Sequence, residues 1–212
     1  MALPGAERRS DAIFWIISAF GVALLLAVCV LGIAGTSVRG IHAALAVTGR
    51  LSFQLFWPAY VGGALVTLFG PGLQPVRRNG RKFGFAFASA HLVHLGLVCW
   101  LCVIGAAPAA GVFVLFGIAT FSLYLLVVVS VPAIAATLAS RDWRLLRLVA
   151  MTYIAYAFAV DFLSHPQVAG IRTVVAYLPF SVLVTAGFLL RLAAFFVEVR
   201  AQPSRQMALP RV

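Results

Sequence analysis

The sequence has few charged residues: Asp, Glu, Lys and Arg together make up 10% of its 212 residues, whereas 63% are hydrophobic. So few polar side chains cannot cover the surface of a soluble globule, and the mean hydropathy of +1.07 agrees with this. Acidic residues are the scarcest, with 5 Asp and Glu against 16 Lys and Arg. The composition therefore predicts a polytopic membrane protein.

Cysteine is scarce as well. Cys29, Cys99 and Cys102 all fall in apolar stretches, so they outline no disulfide framework and indicate no redox compartment. Cys99 and Cys102 have CxxC spacing, but no second ligand pair accompanies them, which argues against a metal or thiol-redox centre. The sequence also contains no Walker or dinucleotide-binding fingerprint and no repeat that would suggest two inverted transporter halves.

Six apolar stretches are long enough to cross a bilayer core of about 30 Å as helices. They predict helices over residues 13–34, 51–70, 83–104, 111–138, 148–163 and 173–197, and hence an all-α bundle of six transmembrane helices in one domain. Residues 36–50 are predicted to form a semi-polar connection, with His42 as a solvated loop residue. The basic tail, 200–212, is predicted to be disordered. Pro58 and the pair Gly62 and Gly63 predict a kink and a close helix approach in helix 2.

The positive charge is distributed unevenly along the chain. A net charge of +11 would suggest nucleic acid for a soluble domain, but here the cations lie beside apolar stretches, so lipid is the expected partner and nucleic acid is not. With a cytoplasmic N-terminus, 13 of the 16 cations fall on the inside, and only Arg39, Arg50 and Arg172 fall outside. This asymmetry predicts that both termini are cytoplasmic.

The most informative pattern lies between residues 75 and 105. Four cations at residues 77–82 directly precede the apolar run, which contains His91 and His94. Three residues separate the histidines, so they lie about 60° apart around a helix and can face one partner. An ionisable group at this depth favours a functional or helix-packing role. The residues alone leave open whether the histidines bind a quinone or a metal, form a proton path, or pack helices through the small-residue face that Gly84 and Ala88 share with His91.

The predicted helix 5 is relatively polar and is the expected partner of helix 3. It contains Thr152, Tyr153, Tyr156 and Asp161. Asp161 is interpreted as a buried hydrogen-bonding or proton-relay group, and the tyrosines as packing aromatics.

Residues 48–71 and 77–101 together resemble the ferric reductase-like transmembrane domain, a superfamily that includes the haem-bearing subunit of the bacterial methionine sulfoxide reductase system. The family pattern has basic residues, a Leu-Gly-Leu-like element, an Ala-Phe pair and then a membrane-embedded histidine. These elements correspond to Arg81-Lys82, Phe83-Gly84-Phe85, Ala86-Phe87, and His91 or His94. The resemblance implies six helices that hold b-type haem between histidines of the third and fifth helices and pass electrons across or into the membrane.

The family's fifth helix carries two histidines thirteen residues apart, and this chain has Leu146 and Ala159 at those positions. At about 1.5 Å per residue, His94 lies roughly 18 Å beyond Lys82, and Ala159 lies roughly 18 Å beyond Arg147. The two positions are therefore at the same depth in the membrane if the basic ends of the two helices are at the same depth. The resemblance therefore implies that His94 is the haem iron ligand and that His91 supports the site. His165 is the remaining histidine on the helix 5 side.

The expected function is that of a membrane-embedded b-type haem electron-transfer subunit in a bacterial inner membrane. It would depend on a partner reductase or on quinone, because a 13-residue tail cannot form a flavin or nicotinamide domain. The alternative is a haem-free six-helix relative that acts as a membrane assembly, binding or small-solute transport component. The missing helix 5 histidines favour this alternative.

Overall fold

The computed structural model describes residues 4–131, 134, 136, 137, 139–164 and 171–207, with side chains placed for residues 11–131, 134, 136, 137, 139–164 and 174–201. The long helices in these ranges are α1 (Pro4–Ala34), α2 (Val38–Phe69), α3 (Gln74–Val103), α4 (Ala110–Val129), α5 (Ser140–Ser164) and α6 (Ile171–Met207), and a short 3-10 turn at Pro71–Leu73 joins α2 to α3. Six helices among the described residues are long and apolar enough to cross a membrane. The predicted six-helix, all-α membrane architecture is therefore confirmed.

Several helices extend beyond the predicted apolar limits. α3 begins at Gln74 rather than at residue 83, and α5 begins at Ser140 rather than at residue 148, so the basic residues next to both spans lie on helical turns. The apolar run marks only the part suited to hydrocarbon, whereas backbone hydrogen bonding carries the helix into the polar interface. α6 likewise continues to Met207. The tail predicted to be disordered from residue 200 is therefore helical over its first part, and residues 208–212 lie outside the described ones.

The largest correction concerns α2, which begins at Val38 and not at residue 51. The Ser37 side chain accepts a hydrogen bond from Gly40 N at 3.4 Å and caps the helix start. Ile41 and Ala44 are fully buried in a cluster with residues of α1 and α3, which holds this first part of α2 in the bundle. The predicted connection at 36–50 is therefore mostly helix, and His42 is an exposed residue on α2 rather than a loop residue.

α4 ends at Val129, nine residues before the predicted limit of 138. Ser130 is its C-cap, and the Ser130 hydroxyl donates to the Leu126 carbonyl oxygen at 2.6 Å. Two residues later Pro132 has no backbone N–H to continue the helical ladder. The predicted limit of 138 is therefore wrong for α4, because hydropathy does not detect the end of the helix at Val129.

α2 and α3 form the centre of the bundle. α3 packs against α1 and α2, α2 also packs against α6, and α5 packs against α4 and α6. A Cβ atom added to Gly62 would lie 3.3 Å from Arg77 Cα, so this glycine permits the close approach of α2 and α3 that the sequence predicts. α2 passes through Pro58 and ends at Gly70, whose φ of 88° suits glycine.

An aromatic cluster joins α2, α3 and α5 near the middle of the bundle. The Phe53 ring centroid lies 4.9 Å from that of Phe162, and the Phe56 centroid lies 5.4 Å from that of Phe87. Phe158 packs between these rings. In contrast to these close contacts, α3 touches α4 over few residues. A cavity remains beside the aromatic cluster, between α3 and α4.

Candidate functional site: a histidine-lined cavity

The two imidazoles of α3 stack on each other. Their ring centroids lie 5.1 Å apart and their planes differ by 13°. Two axial ligands of one haem approach the iron from opposite faces of the macrocycle, which two face-to-face rings on a single helix cannot do. His91 and His94 therefore do not form the two ends of a bis-histidine site.

His94 is oriented by a hydroxyl group from α2. Thr48 Oγ1 lies 3.0 Å from His94 Nδ1 and also 2.9 Å from the Ala44 carbonyl oxygen, to which it donates its only proton. With its proton on the Ala44 carbonyl oxygen, the hydroxyl is assigned as the acceptor of the proton on His94 Nδ1. This arrangement fixes the tautomer in which Nε2 carries the lone pair, which is the form that binds a metal through Nε2.

The ring nitrogens of His91 are less well hydrogen-bonded than Nδ1 of His94. Its Nε2 lies 3.4 Å from Thr120 Oγ1 of α4, at the long end of the hydrogen-bond range. Its Nδ1 is buried and has no hydrogen-bond partner among the described residues. A buried orphan of this kind is costly unless a ligand satisfies it.

Both histidines border a cavity of about 670 Å³. We call it the histidine cavity and define it by His91 and His94 of α3, Gly49 of α2, Thr120 of α4 and Phe158 of α5. Its volume falls within the range of about 300–1,000 Å³ that is usual for organic ligands and cofactors, and its walls are mainly apolar with a few polar groups. A Cβ atom added to Gly49 would lie 3.5 Å from His94 Cε1, an ordinary van der Waals distance, so α2 packs directly against the imidazole at this position.

Four polar or ionisable residues in the cavity wall come from α2, α5 and α6. His42, Arg50, Asp161 and Tyr177 all contribute to the lining. The Arg50 guanidinium carbon lies 4.8 Å from the Tyr177 ring centroid, and Asp161 interacts electrostatically with Tyr177. Asp161 therefore lies at the cavity, as one of its polar wall groups.

His42 was missed as a site residue because its segment was interpreted as a loop. On a helix, His42, Leu45, Ala46 and Gly49 follow a spacing of three, four and seven residues and share one face, and all four line the cavity. The helical period is visible in the sequence. Thr48 was missed for a different reason, since its partner His94 is 46 residues away along the chain.

The α5 wall differs from the one that the resemblance implies. Ile154, Ala157, Phe158 and Asp161 line the cavity, whereas Leu146 and Ala159 do not. Leu146 and Ala159 instead pack against the neighbouring hydrophobic core. The cavity-facing α5 position closest in sequence to Ala159 is Phe158, and the nearest small one is Ala157.

The other candidate residues lie apart from the cavity or outside the description. Cys29, Cys99 and Cys102 are exposed thiols, and no group of three or more His, Cys, Asp or Glu that could hold a metal ion occurs among the described residues. His165 lies outside the described residues. Of the three histidines predicted for the site, the structure therefore brings together His91 and His94.

Comparison with known proteins adds no assignment. The chain matches no protein-family model, and no curated protein or solved structure is significantly similar to it. The resemblance of residues 48–101 to the ferric reductase-like transmembrane domain stays a prediction. The function must be argued from the cavity and its imidazoles.

Proposed function

We propose that this protein is a membrane-embedded electron-transfer subunit that holds one b-type haem in the histidine cavity. His94 is the iron ligand, and a separate reductase or quinone supplies the electrons. The observation that carries the proposal is the Thr48–His94 hydrogen bond beside a cavity of about 670 Å³, because it presents a neutral imidazole with a free Nε2 at a site of cofactor size. A bound haem would supply one-electron redox chemistry at this position.

The residues present fit a haem held by one histidine. The apolar walls suit the macrocycle, and the buried His91 Nδ1 is a polar atom that lacks a partner among the described residues. His94 anchors the ligand, Thr48 orients His94, and His91 borders the same space. Arg50 supplies a cationic group in the cavity wall, suited to a carboxylate-bearing ligand.

The resemblance supports a bacterial inner membrane location, with His91 and His94 near the middle of a hydrocarbon core of about 30 Å. His91 and His94 lie roughly 14 and 18 Å beyond Lys82 along α3, at about 1.5 Å per residue. Electrons from a cytoplasmic donor would therefore enter the bundle from the basic side and leave it from the other side.

The visible spectrum tests this proposal directly. Protein expressed with ample haem and purified in mild detergent is expected to show a Soret band and, after dithionite reduction, an alpha band. His94→Ala is expected to abolish both bands, whereas its matched control His91→Ala is expected to retain haem with at most a shifted potential. A colourless wild type would reject the haem site. Loss of haem only in His91→Ala would show that His91, and not His94, is the iron ligand.

A second candidate is a haem-free component that binds an apolar ligand such as a quinone in the same cavity. The observation that favours it is the α5 wall, which carries no imidazole between Ser140 and Ser164 and has Leu146 and Ala159 turned away from the cavity. A quinone needs hydrogen-bond partners and apolar walls but no iron ligand, and His91 and Asp161 supply such partners. A colourless protein that retains quinone through purification would favour this candidate.

A further inference from the structure

A second cavity lies near the N-terminal ends of α3 and α5, whereas the histidine cavity lies further along both helices. It has a volume of about 340 Å³, and four arginines line it: Arg77, Arg78 and Arg81 of α3, and Arg147 of α5. We call it the basic cavity and define it by these four residues. α2 and α4 close its sides through Phe56 and Leu126.

The four guanidinium groups are not neutralised by a described carboxylate. No Asp or Glu lines the basic cavity, and the one ion pair found among the described side chains joins Lys82 to Asp11 at 3.0 Å. Lys82 therefore pairs with Asp11, and the charges of the neighbouring arginines are not paired with a described carboxylate. Four like charges around one small space repel each other and create a positive potential that favours an anion.

One of the arginines is held in place from within the protein. Arg81 Nη2 donates to the Ser130 carbonyl oxygen at 2.6 Å, and the Arg81 guanidinium carbon lies 5.3 Å from the Phe85 ring centroid. The hydrogen bond joins the start of α3 to the end of α4, and together with the Phe85 contact within α3 it keeps one planar guanidinium at the cavity. Planar guanidinium groups bind phosphate oxygens in a bidentate manner, and a fixed group loses less entropy on binding.

The deeper wall of the basic cavity is apolar. Phe87 and Met151 lie further along α3 and α5 than the arginines, and Leu123 lies six residues before the end of α4 at Val129, so all three lie towards the middle of the span. The cavity is thus charged at the level of the lipid headgroups and apolar towards the acyl chains. Basic pockets between transmembrane helices on the cytoplasmic side are typical sites for anionic headgroups.

We propose that the basic cavity binds the phosphate group of an anionic ligand, supplied either by a phospholipid headgroup or by a soluble phosphate compound. The basic cavity adjoins the histidine cavity at Phe87 and Leu123, but its four arginines do not line the histidine cavity, and the site does not depend on the proposed haem. The positive-inside rule alone does not explain the arginine cluster, because that rule requires cations near the interface and not their convergence on one cavity. Arg141 and Arg144 meet the same requirement on the same end of α5, and neither lines the cavity.

These two arginines provide a matched control. Arg81→Gln/Arg147→Gln removes two charges from the basic cavity, and Arg141→Gln/Arg144→Gln removes two charges from the same side of the membrane outside it. Detergent-purified protein is titrated with dioleoyl phosphatidylglycerol, with dioleoyl phosphatidylcholine and with sodium phosphate, and the thermal unfolding midpoint is followed. A salt concentration of about 0.15 M screens exposed surface charges.

For a lipid ligand we expect phosphatidylglycerol, and not phosphatidylcholine, to raise the unfolding midpoint to saturation. The cavity variant should then bind at least about tenfold more weakly, because charge-assisted hydrogen bonds are lost, while the control variant stays within about twofold of wild type. A saturable shift with sodium phosphate that needs the same two arginines supports the soluble source.

Two results would overturn the proposal: no saturable shift with any of the three additions, or an equal loss in the cavity and control variants. If the double variant does not fold, Arg147→Gln is compared with Arg144→Gln alone. Both side chains are exposed, and only Arg147 lines the cavity, so an equal affinity of these two variants would also reject the site.

Discussion

Thr48 Oγ1 lies 3.0 Å from His94 Nδ1 and joins the first third of α2 to the last third of α3. Thr48 is fully buried, and its proton goes to the Ala44 carbonyl oxygen of its own helix. The hydroxyl therefore acts on His94 only as an acceptor. One side chain thus sets the ring orientation and the tautomer of the proposed ligand, in the way that outer-shell groups orient metal-binding histidines.

Replacing Thr48 by valine tests this role. Thr48→Val keeps the size of the side chain but leaves the proton of His94 Nδ1 without its acceptor, which costs about 1–3 kcal/mol in the free energy of unfolding. It should also weaken haem binding by about 10- to 100-fold if His94 is the iron ligand. Haem titration of the apoprotein and thermal unfolding measure the two effects.

Thr48→Ser is the matched control, because it keeps the hydroxyl and removes one methyl group, at a cost of about 0.8 kcal/mol. Serine should retain near wild-type haem affinity. Equal haem affinity in the valine and serine variants would show that the hydroxyl does not position the ligand, even if both variants were less stable than wild type.

The number of helices could be predicted from the sequence, but their limits could not. Apolar runs such as Phe83 to Ile104 mark the hydrocarbon-spanning part of each helix with little ambiguity. α2 begins before its predicted limit because capping by Ser37 and burial of Ile41 stabilise turns that hydropathy scores as polar. The error at the start of α2 also concealed His42 as a cavity residue.

The candidate site could be predicted only in part. The spacing of His91 and His94 places both on one face of α3, and the structure places both at the cavity. The cavity itself arises because α4 packs mainly on α5 and makes few contacts with α3. No local pattern in the α4 sequence indicates which helix it packs against. Likewise, the α5 wall depends on the rotation of the helix about its axis, so depth along the chain did not exclude Ala159.

The cation asymmetry predicts the membrane orientation, and this prediction can be tested at the helix ends. Reporter fusions after Arg78 and after Arg144 should be cytoplasmic, because these residues lie in the basic first turns of α3 and α5. Fusions after Gly35 and after Ala107, in the connections that follow α1 and α3, should be periplasmic. Alkaline phosphatase and green fluorescent protein activities report the two sides. An external signal at Arg78 would contradict the six-helix orientation.

Asp161 is expected to stabilise the cavity through polar interactions rather than through its size. It is half-buried, lines the cavity and interacts with Tyr177. Asp161→Asn keeps hydrogen-bonding capacity, whereas Asp161→Leu has a similar volume but leaves polar neighbours unsatisfied, at about 1–3 kcal/mol. We expect the asparagine variant to have the higher unfolding midpoint in detergent. Equal midpoints and equal expression would count against a hydrogen-bonding role.

The last prediction concerns the coordination of the proposed haem. If His94 is the single histidine ligand, the wild-type iron should be five-coordinate and high-spin, since His91 stacks on His94 and cannot approach from the opposite side. Ala157 lies on the α5 wall of the same cavity, is only 2% exposed and has a small side chain. Ala157→His should therefore supply an imidazole from the α5 side of the cavity and give a six-coordinate, low-spin absorption and electron paramagnetic resonance spectrum. Ala159→His is the matched control, because it adds the same imidazole two residues away on a face that does not line the cavity, and its spectrum should stay high-spin. A low-spin spectrum from Ala159→His and not from Ala157→His would show that position 159, which the family resemblance implies, faces the haem. The assignment of Ala157 to the cavity wall would then be wrong.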